Sequence, residues 1–485
     1  MAPNTKRAIS YLLIGLVIAL PLFLFLGQLP IRVYDESRLA FNALEMAESS
    51  NWLVTTCNHE PDLWNTKPPL MIWLQALGIK LLGLTEWALR LPSALAALAT
   101  CFLLFFFSRR ALGAPAIGIV AALILVGTKG YVTEHGTRTG DYDALLILFT
   151  TLACFSWFAW TEQGNKRNLW LFFIAITLGA LTKGIAAMLL MPGLAIYTLY
   201  RKKLLLVLRT PAFYLGTLLF VVVVGGYYGL REYASAGYLQ AIADNELGGR
   251  FLETLEEHKH GFWYYFEGMY LLKFSFGLPM VILSLALVRF VQDAMHRRLI
   301  VYLSLVSLVF LLVISSAQTK LNWYDMPVYP LLALQIAIFV YDVVYLQLAT
   351  RIASKKPKLR WVPLLGIGLY LLVPYGMLLG GIIIKNNQDP QKAMNAAAYY
   401  IRGEIERKGV TANTVWVNTE YAPHTEFYLE VARQQGMVIT KKELDQVAPG
   451  DRVITNGPSI ISQLNGNFTI TELVNQDGLA VFEVH

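Results

Sequence analysis

The sequence predicts a polytopic α-helical membrane protein with a small α/β domain at its C-terminal end. Three observations carry this. Of the 485 residues, 56% are hydrophobic and 15% charged, where a soluble chain has about 45–50% and about 25%. Eleven apolar stretches follow one another between residues 8 and 384, most of them near the roughly 20 residues that a bilayer crossing needs. Beyond residue 384 the apolar runs stop and charged residues of both signs return.

The first stretch, Ala8 to Gly27, follows Lys6 and Arg7. It is long for the apolar region of a secretory signal, and Gly27-Gln28-Leu29-Pro30 is a poor cleavage site, so it reads as a retained helix. The others lie at 88–107, 114–128, 143–160, 169–182, 184–200, 211–230, 267–289, 299–316, 326–348 and 361–384. Leu70 to Leu84 is shorter and carries Gln75 and Lys80, which suits a helix lying along the interface. Cations mark alternate connections: Lys6 and Arg7; Arg109 and Arg110; Lys166 and Arg167; Arg201, Lys202, Lys203 and Arg209; Arg289, Arg297 and Arg298; Arg351, Lys355, Lys356, Lys358 and Arg360. Lys and Arg collect on the cytoplasmic side, so the N-terminus is expected inside. Eleven crossings then place the C-terminus outside, in the periplasm of a bacterial inner-membrane protein.

Residues 385–485 hold nine basic against twelve acidic side chains, a balance of −3, which leaves +10 on residues 1–384. The net +7 is therefore a topology signal and not a nucleic-acid footprint. In this second domain Pro390–Lys408 and Thr425–Gln435 have helical patterns, while Thr414–Val417, Arg452–Thr455, Phe468–Leu473 and Leu479–Val484 alternate as strands. Of three cysteines, Cys101 and Cys154 fall in membrane stretches and only Cys57 is external, so no disulfide framework is expected.

The informative polar residues are those of the external loops. The first, residues 28–87, is too long for a simple connection, and its tryptophans and double proline argue for order, including interfacial helices. Asp35 and Glu36 are adjacent carboxylates with Arg38 beside them. They read either as the charged first turn of a helix or as a general base and cation anchor. Lys67, before Pro68 and Pro69, is an interfacial lysine or a phosphate ligand. Arg138, Asp141 and Asp143 lie at the mouth of the next helix, where one aspartate serves as a cap. Lys183 occupies a short external turn, and Lys320 and Tyr324 precede the helix that starts near Met326. Residues 231–262, with glycines at 248, 249 and 261, read as a flexible external loop able to act as a lid. His258 and His260 would bind a metal only from an extended segment. Carboxylates mixed with phosphate-binding cations at one membrane face suggest transfer chemistry on a lipid-phosphate substrate. A transporter or flippase of lipid-linked sugars is the alternative, but such proteins place ionisable groups near the midplane of repeated halves. Here the helix interiors are nearly free of charge and no repeat is visible. No glycine-rich nucleotide motif occurs.

These residues carry a resemblance. Tyr34-Asp35-Glu36-Ser37-Arg38, Lys67-Pro68-Pro69-Leu70 with Trp73, and Arg90-Leu91-Pro92-Ser93 resemble the first-loop signature of GT-C class membrane glycosyltransferases, in the protein O-mannosyltransferase-like superfamily that includes the aminoarabinose transferases of lipid A. Arg138-Thr139-Gly140-Asp141-Tyr142-Asp143 is similar to the second-loop motif, and Leu181-Thr182-Lys183-Gly184 and Lys320-Leu321-Asn322-Trp323-Tyr324 to later landmarks. The resemblance implies a GT-C catalytic domain over residues 1–384. That domain would transfer a sugar, with inversion, from a polyprenyl-phosphate donor to a lipid, glycan or protein acceptor on the periplasmic face. It implies Asp35 as catalytic carboxylate with Glu36 beside it, and Asp143 and Asp141 orienting substrate. Arg38, Lys67, Arg138, Lys183, Lys320 and Tyr324 would bind it. In the aminoarabinose branch a glutamate precedes the lysine of Lys-Pro-Pro; here Thr66 stands there, so a metal held by that residue is not expected. A divalent-metal requirement is left open.

Overall fold

The computed structural model describes residues 3–252, 259–359 and 361–485. Each of the eleven apolar stretches is helical over most of its length. Among the described residues, seven helical stretches are long and apolar enough to cross a membrane: Glu86–Ala111, Asp143–Gln163, Lys166–Met188, Pro211–Ala234, Ala294–Ser316, Met326–Lys355 and Pro357–Asn387. Tyr264–Lys273 and Gly277–Ala286, bent by 113° at the break between them, make an eighth if the pair is one span. That is fewer than the eleven expected. The difference lies in short helices: the twelve residues of Pro115–Val126 rise about 18 Å against about 30 Å of hydrocarbon. The stretch 184–200 is also divided, because Gly184 takes φ +54° and starts a tight turn, and only Met191–Tyr200 continues as α-helix.

The bundle is built around Tyr329–Phe339, all of whose residues are buried. Pro211–Ala234 and Pro357–Asn387 lie at its outside with most of their apolar surface uncovered, as lipid-facing helices do. At one end of the bundle Glu162 gathers Tyr197, Arg201 and Arg298 at 3.2, 2.9 and 3.1 Å; both arginines belong to connections read as cytoplasmic. Arg360, another of those cations, lies outside the described residues. At the opposite end the first loop folds into the helix Asp35–Ser49, a two-stranded hairpin of Thr56–Cys57 and Glu60–Pro61, and the helix Leu70–Leu82. That last helix exposes Leu77, Leu81 and Leu82 and buries Met71, Ile72, Gln75, Ala76 and Ile79.

The C-terminal part forms a five-stranded sheet in the order Thr440–Lys441, Thr414–Trp416, Arg452–Thr455, Leu479–Val484, Ile470–Gln476. The first three strands are parallel and the last two run antiparallel to their neighbours. Helix Ala396–Arg407 falls within the expected region and Pro423–Gln434 starts two residues ahead of its own, whereas Pro458–Asn467 and the two-residue edge strand carry too little periodic pattern to be read from sequence. The sheet domain is tied to the first loop. The Tyr428 hydroxyl accepts from the Ile31 N–H at 3.1 Å and donates to Glu86 at 2.7 Å. Arg402 reaches Glu86 at 3.1 Å, and Arg32 pairs with Asp389 at 2.7 Å. Tyr428→Phe, which strands the buried Ile31 N–H, is expected to cost about 1–3 kcal/mol. A thermal melt of the purified variant checks this; an unchanged midpoint would show that the bond contributes nothing.

Candidate active site

The helix Asp35–Ser49 starts abruptly. Tyr34 has φ +71° and ψ −112°, a conformation that costs a non-glycine residue of order 1–3 kcal/mol and persists only where surrounding contacts impose it. Glu36 supplies those contacts. Its Oε1 accepts from Arg90 Nε at 2.6 Å and the Gly140 N–H at 2.9 Å; its Oε2 accepts from Arg90 Nη2 at 2.9 Å and the Arg32 N–H at 2.7 Å. Arg90 spends its remaining donors on the carbonyls of Leu26, Leu29 and Pro30, each at 2.8 Å. Burial alone would raise the Glu36 pKa, but Arg90 and the two backbone donors hold it below the usual carboxylate range. Gly140 fits because a Cβ there would come within 2.7 Å of the Gln75 amide and 3.0 Å of the Leu89 carbonyl. Each Glu36 oxygen thus accepts two hydrogen bonds, and of the two carboxylates read as a catalytic pair Glu36 is committed to the scaffold. Asp35, its neighbour, is turned outward and 37% exposed.

Asp35 meets the second external loop. His135 Nδ1 lies 3.7 Å from Asp35 Oδ2 and 3.6 Å from Asp141 Oδ2, and the imidazole is stacked on Trp323 with ring centres 3.7 Å apart. Thr139 donates its hydroxyl to Asp141 Oδ2 at 2.5 Å and accepts the His135 N–H at 2.7 Å. Burial pushes the Asp141 carboxyl up to about 7; His135 pulls it down, and the charge on Asp35 pushes it further up. One donor atom each from Asp35, His135 and Asp141 lies within 4.8 Å of the others. His135 Nδ1 is buried without a hydrogen-bond partner, and two carboxylates converge on it. A divalent cation fits this nitrogen and oxygen set.

Asp143 begins the helix Asp143–Gln163 and is held by Lys183 at 2.7 and 2.8 Å. The Lys183 ammonium also lies 5.6 Å from the Tyr324 ring centre. Lys67, Lys183 and Thr66 line a cavity of about 240 Å³ whose other wall is apolar, with Ile185, Met188, Phe220 and Val224. At its head the Glu246 carboxylate sits 3.5 Å from Lys67 Nζ and accepts from the Thr66 hydroxyl at 3.2 Å. A larger cavity, about 670 Å³, has Arg32, Glu134, Thr139 and Lys273 at its polar end and Phe25, Tyr370, Pro374 and Met377 along its apolar side.

Three expected ligands are engaged elsewhere. Arg38 forms a two-pronged bond with Asp62 at 2.8 Å. Arg138 donates to the carbonyls of Pro21 and Leu24, closing the end of the first helix, and burial pushes its pKa down to about 10. Lys320 is buried, which lowers its pKa, and donates to the Ala317 carbonyl at 2.5 Å. His260 stacks on Tyr264, and His258 lies outside the described residues. His135, Arg90, Trp323 and Glu246 are the residues that sequence reasoning did not single out as site members. Arg231 and Tyr238, in the described part of the segment read as a flexible loop, are fully buried.

Residues 66–227 match the family described as dolichyl-phosphate-mannose-protein mannosyltransferase. The fold superposes on the crystal structure of ArnT from Cupriavidus metallidurans bound to undecaprenyl phosphate with a TM-score of 0.75 at 16% identity, over 99% of this chain and 98% of that one. The chain thus has the fold of that transferase, and a third of it resembles the mannosyltransferase family. An undecaprenyl phosphate-α-4-amino-4-deoxy-L-arabinose arabinosyl transferase of Aeromonas salmonicida is 29% identical over 67% of this chain and 60% of its own length. An uncharacterized protein of Aquifex aeolicus is 29% identical over 46% and 44%. The matches thus span about half the length of these curated relatives.

Glu36→Gln, which leaves Arg90 buried without its anion, is expected to destabilise the fold by about 3–5 kcal/mol, whereas Asp35→Asn is expected to stay within about 0.5 kcal/mol; thermal denaturation in detergent separates the two. Titration with Mn²⁺ or Zn²⁺ is expected to show one site that His135→Ala removes. Its affinity should weaken as the pH falls below about 7, where Asp141 takes up a proton.

Proposed function

We propose that the protein is an inverting glycosyltransferase of the bacterial inner membrane that moves a sugar from a polyprenyl-phosphate donor to a hydroxyl acceptor on the periplasmic face. One observation carries the donor class: Lys67 and Thr66 grip a carboxylate at the head of a cavity whose other wall is apolar, the arrangement an anionic head on a hydrocarbon tail requires. The relatives named for undecaprenyl-phosphate donors support the same reading.

In this reading the bond between sugar C1 and the phosphate oxygen breaks, and the acceptor oxygen bonds C1 from the opposite face. The departing polyprenyl phosphate keeps the electron pair, and Lys67 stabilises its charge in a site of low dielectric. Asp35 takes the acceptor hydroxyl proton. Lys183 fixes Asp143 in an orientation suited to hydrogen-bonding a sugar hydroxyl, while Glu36 and Arg90 hold the turn that aims Asp35. The larger cavity reaches Thr139, which bonds Asp141, and provides the acceptor's approach. A divalent ion, held by Asp35, His135 and Asp141, would supply positive charge beside the reacting oxygens. The C-terminal sheet, docked on the first loop, is periplasmic in this orientation.

Asp35→Asn is expected to lower kcat by about 10²–10⁴-fold while leaving binding of polyprenyl phosphate intact; full activity in a sugar-transfer assay would remove Asp35 from the mechanism. Lys67→Ala is expected to weaken polyprenyl-phosphate binding about tenfold or more, and an unchanged affinity would reduce Lys67 to an interfacial lysine.

A further inference from the structure

Arg231 lies near the outer end of the span Pro211–Ala234. Its side chain has no solvent-accessible surface, and none of its Nε, Nη1 and Nη2 atoms has a hydrogen-bond partner. No carboxylate pairs with it among the described residues. The Tyr227 hydroxyl, four residues back on the same helix, lies beside the guanidinium and the Tyr238 hydroxyl without a well-formed hydrogen bond to either. An arginine cannot shed its proton, and a buried charge without an anion is among the costliest groups a fold can carry. Such a group signals an absent ligand.

The surroundings indicate which ligand. The guanidinium sits over the Tyr238 ring, 4.7 Å from its centre, and the Tyr238 hydroxyl donates to the carbonyl of Thr66 at 2.8 Å. Tyr228, whose ring is 6.1 Å from that of Tyr238, lines the same cavity as Thr66, Lys67 and Glu246. One aromatic layer therefore separates Arg231 from the head of the donor cavity. Tyr238 and Glu246 belong to one short segment, which covers Arg231 with a ring and Lys67 with a carboxylate.

We propose that Arg231 is a second cation of the donor-phosphate site, exposed to the phosphate when Tyr238 and Glu246 are displaced together. The inference rests on the donor reading above. The ligand chemistry is a phosphate monoester or diester. A hydrophobic tail distinguishes the lipid from free phosphate.

The test compares wild type, Arg231→Met, Arg231→Lys and Lys67→Ala, measuring thermal midpoints without ligand and affinity for polyprenyl phosphate, polyprenol and inorganic phosphate. Arg231→Met is expected to keep or raise the ligand-free midpoint, because it removes an unpaired buried charge, and to weaken polyprenyl-phosphate binding about ten- to a hundredfold. Arg231→Lys is expected to restore part of that loss, and polyprenol binding should not change. A lowered ligand-free midpoint with unchanged polyprenyl-phosphate affinity would make Arg231 structural and overturn the proposal. If wild type binds inorganic phosphate as tightly as the lipid, the site is for a free anion and the proposal is also overturned. Loss of affinity in Lys67→Ala but not in Arg231→Met would sink this inference alone, whereas no binding of polyprenyl phosphate by wild type would sink the donor reading itself.

Discussion

The buried pair of Glu36 and Arg90 is the constraint on which the rest of the site depends. Two carboxylate oxygens and one guanidinium bind the end of the first helix, the residues around Pro30, the start of the helix Asp35–Ser49 and the Gly140 turn of the second loop. Three segments far apart in sequence, residues 26–36, the helix that carries Arg90 and the Gly140 turn, are thereby brought to one point. A pair of this kind adds little to net stability, because desolvation offsets the attraction. What it provides is geometry. With Glu36 saturated and Tyr34 forced to positive φ, the adjacent Asp35 has nowhere to turn except outward, toward His135 and Asp141.

Around that hinge the charged residues divide into two groups. Some are consumed in holding the scaffold: Arg38 on Asp62, Arg138 on two carbonyls, Arg402 on Glu86. Others gather at the site: Asp35, Asp141 and His135 bring one donor atom each within 4.8 Å of the others, and Lys67 and Lys183 line the smaller cavity. The arrangement suits a reaction in which a lipid-linked donor and its acceptor enter from different sides and meet at a boundary between membrane and water.

The membrane architecture was legible because apolar stretches and alternating cations are local signals, and Glu162 does collect arginines from connections assigned to the same side. The number of spans was not, since a twelve-residue helix such as Pro115–Val126 carries the same apolar signature as half of a longer one. The clustering of Asp35, Asp141 and Asp143 at one face was readable from their positions next to helix starts. Which of the adjacent Asp35 and Glu36 is free was not, because that depends on Arg90, 54 residues away from Glu36. His135 carries no such signal, because its place between Asp35 and Asp141 and its stack on Trp323 come from the tertiary fold, and Gln75, read as a sign of an interfacial helix, is instead buried against the carbonyls of Leu89 and Gly140.

The central claim is that the Glu36–Arg90 pair serves by aiming Asp35 and not by touching substrate. The most direct measurement is steady-state transfer by Glu36→Gln well below its own unfolding temperature, with kcat and donor affinity obtained separately. In that variant kcat is expected to fall at least about tenfold, as for a misplaced catalytic group, while polyprenyl-phosphate affinity stays at the wild-type value. A wild-type kcat, or a loss confined to donor affinity, would contradict it.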